Sequence, residues 1–101
     1  MLDIAVVTLF PEFFRATLET SIPGRAAAKG LVRYRIVDLR TYTHDRHRTA
    51  DDEPYGGGAG MVLKPEPFFE ALDDLAVPAP VVLLSARGKQ LEHDDAVRYS
   101  V

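Results

Sequence analysis

The chain has 101 residues, a formal net charge of −3 at pH 7 and no cysteine, which limits it to one domain and excludes a disulfide framework or a thiolate metal site. Its hydrophobic content of 47% and charged content of 27% are typical of a folded globular domain and exclude intrinsic disorder. The amino-terminal stretch MLDIAVVTLFPEFF contains Asp3 and Pro11 and lacks a basic segment. We therefore expect neither a signal peptide nor a membrane span, and we expect a cytoplasmic protein.

The first half of the chain predicts two strands separated by two short helices. An apolar run over residues 3–10 predicts a strand covered on both faces, as in a parallel sheet. Helices are expected over 11–18, opened by a proline, and over 21–29, ended by Gly30. Residues 32–39 alternate between apolar and charged side chains, which predicts a strand with one partly exposed face near the edge of a sheet.

The second half begins with 25 residues, 40–64, that show no regular pattern. Helical spacing resumes over 65–75, and the apolar run at 81–84 predicts a short buried strand. A polar helix is expected from about Glu92 to the last residue without a stop signal, so we expect the chain to be cut before its natural end.

This order of elements predicts an α/β domain over residues 1–101, with a mainly parallel sheet flanked by helices. Ligands of open parallel sheets bind beyond the carboxyl ends of the strands. We therefore expect residues 9–12, residues from 40 onward and residues 84–88 to meet on one rim. A loop as long as 40–64 favours a functional role, since connections are usually about 4 to 6 residues.

Four of the seven glycines lie in this loop, at positions 56, 57, 58 and 60. Neither a P-loop nor a dinucleotide fingerprint fits, because Met61 stands where Lys or a further Gly is needed. Glycines have no side chain, so a flat ligand can lie directly against the main chain. The main-chain N–H and C=O groups can then form hydrogen bonds with the edge of that ligand. A flexible hinge or irregular turn is the alternative.

Other polar residues give weaker signals. His44 and His47 lie near several carboxylates, but no third or fourth ligand converges with them, so we expect no metal site. The stretch LLSARGKQL follows the third predicted strand and offers a hydroxyl and main-chain groups for a small polar cofactor. The equally weighted alternative is that Ser85 caps a turn while Arg87 and Lys89 are solvated.

Three motifs together resemble the amino-terminal part of the bacterial tRNA (guanine-N1)-methyltransferase family, TrmD. They are LFPEFF after the first strand, THDRHRTADDEPYGGGAGM in the long loop, and LLSARGKQL near the end. The resemblance implies a knotted, SPOUT-type methyltransferase that acts as a homodimer. Such an enzyme transfers a methyl group from S-adenosylmethionine to nitrogen 1 of the guanosine 3′ of the tRNA anticodon, and its partner is the anticodon stem-loop.

The resemblance also implies site residues. The loop would surround the target guanine through His47, Asp51, Tyr55, Gly56, Gly57, Gly58 and Gly60, and the methyl donor would contact Leu84, Ser85 and Ala86. The family usually has proline where Ala86 stands, which leaves this main chain less fixed. The family's knot, linker and carboxy-terminal domain are not among these residues, so the catalytic base is expected beyond residue 101 and the chain alone is expected to be inactive. A non-catalytic RNA- or nucleotide-binding module and a structural remnant are the alternatives.

Overall fold

The computed structural model describes residues 1–47, 51–52, 62–76 and 80–100, with only the main chain of 51, 52 and 62. Its elements, in chain order, are β1 (Leu2–Thr8), α1 (Pro11–Leu18), α2 (Ser21–Ala28), β2 (Val32–Asp38), a 3₁₀ helix (Leu39–Tyr42), β3 (Asp51–Asp52), β4 (Val62–Leu63), α3 (Pro65–Leu75) and α4 (His93–Tyr99). The two strands and two helices predicted in the first half are therefore present, with bounds within two residues of those expected.

The strands β1 and β2 form a parallel pair in continuous register from Leu2 opposite Val32 to Thr8 opposite Asp38. Parallel pairing requires a crossover connection, which α1 and α2 supply. The pairing confirms the α/β class with parallel strands and flanking helices. It also places the carboxyl ends of β1 and β2 side by side.

The burial of β1 differs from the prediction. No residue of this strand is buried, and Ile4 is 37% exposed. The two helices pack on β2, where Val32 is only 7% exposed. An apolar run indicates that a strand is suited to burial, but the elements packed on it decide how much surface is covered.

Close packing and special backbone angles shape the connection between β1 and β2. Pro11 lies in the first turn of α1, and Thr8 Oγ1 accepts a hydrogen bond from the Phe10 N–H at 3.0 Å just before it. After α2, Gly30 has a φ of +72°, the left-handed conformation that lets the chain leave a helix and enter a strand. Gly24 lies so near the C-cap of α1 that a Cβ there would be 2.4 Å from the Glu19 carbonyl oxygen.

The region predicted to lack regular structure begins and ends with structured segments. The 3₁₀ helix continues from β2, and Asp38 Oδ1 accepts a hydrogen bond from the Arg40 N–H at 2.9 Å at its start. Farther along, β3 and β4 pair antiparallel, with Asp51 opposite Leu63. Elements of two to four residues are too short to show a hydrophobic period, which is why the sequence pattern did not reveal them.

The most deeply buried side chains lie where the 3₁₀ helix packs on α3. Leu39 and Ala71 are both fully buried, and Pro67 is buried beside them on α3. The small side chain at Ala71 allows this close approach. The contact fixes the main chain at the point where it enters the long loop.

The prediction of a buried third strand over 81–84 was wrong. In the described part of the chain the parallel sheet has two strands, and this segment pairs with neither. Its side chains are exposed, from Val82 at 53% to Leu84 at 87%. Apolar, β-branched residues indicate a preference for pairing, but a strand exists only where a partner accepts its hydrogen bonds.

The last helix, α4, begins with a capping box in which Glu92 is the N-cap and Asp95 is the third residue of the helix. It ends at Tyr99, where the Ser100 N–H donates to Ala96 O at 3.1 Å, although the sequence pattern continued to the last residue. None of the helices in the described residues has the length and apolar character needed to cross a bilayer.

Candidate functional site

Two of the three segments expected to meet at one rim do so. Thr8 and Asp38 are opposite each other at the carboxyl ends of β1 and β2, so the start of α1 and the start of the long loop share one edge. The third segment, 84–88, is not joined to this sheet by strand pairing in the described part of the chain. The expected convergence was therefore only partly correct.

The entry of the long loop is held against α3 by two side-chain contacts. The Tyr42 hydroxyl donates to Asp74 Oδ2 at 2.5 Å, and His44 Nε2 lies 2.7 and 2.9 Å from the two carboxylate oxygens of Glu70. Glu70 and Asp74 are four residues apart and so share one face of the helix. The hydrogen bond to Asp74 and its negative charge raise the pKa of Tyr42. We call these two contacts the loop clasp.

His47, the first predicted guanine contact, lies in a turn just after this clasp and is exposed. Among the described residues it has no hydrogen bond or ion pair, so its ring is available to a ligand. His44, three residues earlier, is instead engaged by Glu70. The described residues contain no group of three or more His, Cys, Asp or Glu side chains that could hold a metal ion.

Most of the remaining predicted guanine contacts lie outside the described residues. The main chain of Asp51 belongs to β3, which pairs with β4 through Leu63. Tyr55, Gly56, Gly57, Gly58 and Gly60 fall in the undescribed part between β3 and β4. The structure therefore gives the two strands that flank this segment, and the role of the glycines stays a prediction.

The predicted cofactor contacts Leu84, Ser85 and Ala86 lie at a turn. Ser85 O accepts a hydrogen bond from the Gly88 N–H at 3.1 Å, and Ser85 Oγ accepts one from the Arg87 N–H at 3.1 Å. We call residues 85–88 the Ser85–Gly88 turn; Leu84 lies immediately before it. The interpretation of Ser85 as a turn cap is confirmed, and Lys89, expected to be solvated, is exposed but also makes an ion pair.

That ion pair belongs to a cluster that the sequence analysis did not find. The Asp95 carboxylate accepts hydrogen bonds from Lys89 Nζ at 3.1 Å to each oxygen, from Arg98 Nη2 at 3.1 Å and from the Glu92 N–H at 3.0 Å. These contacts, led by the Glu92 N–H and then Lys89, lower the pKa of Asp95. The spacing of Glu92 and Asp95 at the start of a helix was the signal that could have indicated it.

Comparison with known proteins decides the family. The profile described as tRNA (Guanine-1)-methyltransferase TrmD matches residues 2–101. The chain belongs to the TrmD family. It is 47% identical to the tRNA (guanine-N(1)-)-methyltransferase of Koribacter versatilis strain Ellin345, over 98% of this chain and 40% of that protein. It is 48% identical to the protein of the same name from Dehalococcoides mccartyi strain CBDB1, over 94% of this chain and 40% of that one.

A solved tRNA methyltransferase structure shows a similar fold. The crystal structure of tRNA (m1G37) methyltransferase from Aquifex aeolicus superposes with a TM-score of 0.68 and 41% sequence identity, over 74% of this chain and 34% of that one. The family resemblance of the three motifs is therefore confirmed. The chain spans about 40% of the length of the curated relatives it matches.

Proposed function

We propose that this chain is the amino-terminal α/β part of an enzyme that transfers a methyl group from S-adenosylmethionine to nitrogen 1 of the guanosine 3′ of the tRNA anticodon. The observation that carries the proposal is the family match, which extends over residues 2–101. Relatives at 47% and 48% identity are named for methylation of guanine N1 in tRNA. The substrate is the anticodon stem-loop, and the reaction takes place in the cytoplasm.

The guanine site is formed by the long loop. His47, exposed and without a partner in the described part of the chain, supports the proposal because its ring can meet a base or a phosphate. Asp51, Tyr55 and the four glycines complete this site, with the glycines leaving room for the flat face of the base. The loop clasp at Tyr42 and His44 supports this role because it gives the loop a fixed entry.

The residues at the Ser85–Gly88 turn fit the methyl donor. Within the described residues, the main-chain groups of Leu84 and Ala86 have no hydrogen-bond partner, so they can pair with the edge of an adenine ring. The exposed Leu84 side chain offers apolar contact to the same ring. S-adenosylmethionine supplies the electrophilic methyl group when bound.

The reaction needs a base, because nitrogen 1 of guanine carries a proton that must leave as the new carbon–nitrogen bond forms. We assign this base to no residue of 1–101 and expect it in the remainder of the enzyme. Most of the cofactor contacts are expected there too. The 101-residue chain by itself is therefore proposed to be inactive.

We also propose that the full enzyme is a homodimer. Large apolar side chains on the described surface support an assembly, among them Phe13 at 65% and Ile22 at 74% exposure. Sedimentation of the full-length enzyme tests this proposal, and a monomer at micromolar concentration contradicts it.

The function is tested by incubating the full-length enzyme and the 101-residue chain separately with S-adenosylmethionine and a tRNA transcript. We expect 1-methylguanosine, detected by mass spectrometry after nuclease digestion, only with the full-length enzyme. A transcript with adenosine in place of the guanosine 3′ of the anticodon is the matched control and should gain no methyl group. Methylation at another position, or none, contradicts the proposal; specific binding of the anticodon stem without methylation would indicate an RNA-binding module instead.

A further inference from the structure

Asp95 is the only buried residue between positions 80 and 100, all of which the structure describes. It is 5% exposed, whereas the residues around it are all exposed. A carboxylate loses hydration when it is covered, and this loss is offset only where donors replace the water. Asp95 has four such hydrogen bonds, from two cationic side chains and one main-chain N–H.

These donors come from both sides of the start of α4. Glu92 is the N-cap and Arg98 lies one turn into the helix, so two contacts fix the carboxylate on α4 itself. Lys89 precedes the helix and immediately follows Gly88, the last residue of the Ser85–Gly88 turn. Asp95 therefore joins the end of the turn to the helix.

No other side-chain hydrogen bond or ion pair joins residues 85–89 to α4 within 80–100. The turn itself is closed by the two hydrogen bonds to Ser85, and its side chains are exposed. Its internal shape is thus set locally, but its orientation relative to α4 depends on the Lys89–Asp95 pair. An adenine ring that pairs with main-chain groups at 84 and 86 requires that orientation to be constant.

We propose that Asp95 is a positioning residue for the methyl donor, which holds the Ser85–Gly88 turn through Lys89; the inference rests on the proposed function. Asp95 does not touch the donor. Its carboxylate restrains Lys89, and this restraint reduces the freedom that the turn loses when the donor binds. The conformational entropy that the turn loses on donor binding is therefore smaller, because the turn is already restrained in the free enzyme.

The test uses the full-length enzyme with Asp95→Asn, which keeps an oxygen for the Glu92 N–H but removes the charge that holds Lys89. Lys89→Met is the second variant, because it removes the other partner and leaves the helix cap intact. Asp94→Asn is the matched control: Asp94 is exposed, lies in the same helical turn and has no partner among the described residues. Initial rates at varied donor and varied tRNA, the dissociation constant for S-adenosylmethionine by calorimetry, and melting temperature are measured for each.

We expect Asp95→Asn and Lys89→Met each to raise the KM and Kd for S-adenosylmethionine about fivefold, the size of one partly buried ion pair. The KM for tRNA and kcat should stay within about twofold, and the double variant should add little to either single one. Asp94→Asn should match the wild type. Unchanged donor affinity in both variants, or equal losses for donor and tRNA, overturns the inference, whereas a wild-type enzyme that neither binds the donor nor makes 1-methylguanosine overturns the proposed function itself.

Discussion

At the scale of single residues, His44 and His47 show how two like side chains in one loop take different roles. His44 lies against the Glu70 carboxylate and belongs to the loop clasp. His47 comes three residues later, is exposed, and has no partner in the described part of the chain. The first stabilises the loop entry, and the second is left free for the proposed guanine site.

His47→Ala in the full-length enzyme should raise the KM for tRNA about tenfold, the loss of one hydrogen bond to a charged or polar RNA group. Its melting temperature should be unchanged, because the ring is exposed and makes no hydrogen bond or ion pair among the described residues. His93→Ala is the matched control, since His93 is also exposed and lies far along the chain on α4. Equal effects of the two substitutions on KM would refute a specific role for His47.

At the scale of elements, Gly24 of α2 lies close to the main chain of Glu19, the residue that caps α1. Gly24 lies inside α2, where alanine normally stabilises a helix by about 1 kcal/mol relative to glycine. Here the added Cβ would be 2.4 Å from Glu19 O, a main-chain atom that cannot move aside without shifting α1. Helix propensity therefore predicts that Gly24→Ala stabilises the protein, whereas the packing at this position predicts that it destabilises the protein.

Gly24→Ala is expected to lower the free energy of unfolding by about 1–3 kcal/mol, the usual cost of overpacking. Urea denaturation followed by circular dichroism measures it. Ala28→Gly, at the last position of the same helix, is the control and should cost less than about 1 kcal/mol. A stabilised Gly24→Ala variant would show that Gly24 does not lie as close to the Glu19 carbonyl as described.

At the scale of the whole molecule, buried or paired carboxylates link stability to pH. The side chains of Arg33 and Arg35 on β2 lower the pKa of Asp3 on β1. The Glu92 N–H and Lys89 lower the pKa of Asp95. A carboxylate whose pKa is lower in the folded state stabilises that state at pH values above the ordinary pKa of 3.8. This contribution is lost as the pH falls through the lower pKa of the folded state.

The urea midpoint of the full-length enzyme should therefore be constant from about pH 7 to pH 5 and fall below about pH 4. Asp95→Asn removes one of the two carboxylates whose pKa is lowered, so the fall should be shallower than in the wild type. Asp94→Asn should follow the wild-type curve, because Asp94 has no partner in the described residues. Identical acid slopes for all three proteins would contradict the role given to the Asp95 contacts.

The sequence predicted some elements well because their signals are local. Pro11 marks the start of α1, and Gly30 marks the end of α2. The helical spacing of Phe68, Phe69, Leu72 and Leu75 predicts α3. The alternation of β2 also predicted its charged face, where Arg33 and Arg35 meet Asp3. The helix ends, the helical spacing and the strand alternation depend on residues close together in the sequence, so the pattern of neighbouring residues predicts them.

Two of the differences from the prediction concern contacts that the composition of a segment does not show. The exposed run at 81–84 has the composition of a buried strand, but burial depends on a partner. The Asp95 contacts escaped notice because Lys89 and Arg98 look like ordinary surface cations until their distances to one carboxylate are known. Predicted site residues followed from motifs, and of these His47 and the 84–86 segment are described together with their side chains.

The sequence alone determined the family, the α/β class and the residues proposed to bind guanine and methyl donor, since motif identity and local periodicity are written in consecutive residues. Only the tertiary structure decided which charged side chains are partners, that His44 rather than His47 is engaged, and that the Ser85–Gly88 turn is tied to α4 through Asp95. The physical reason is that ion pairs and packing depend on distances in space, which the order of residues along a chain does not specify.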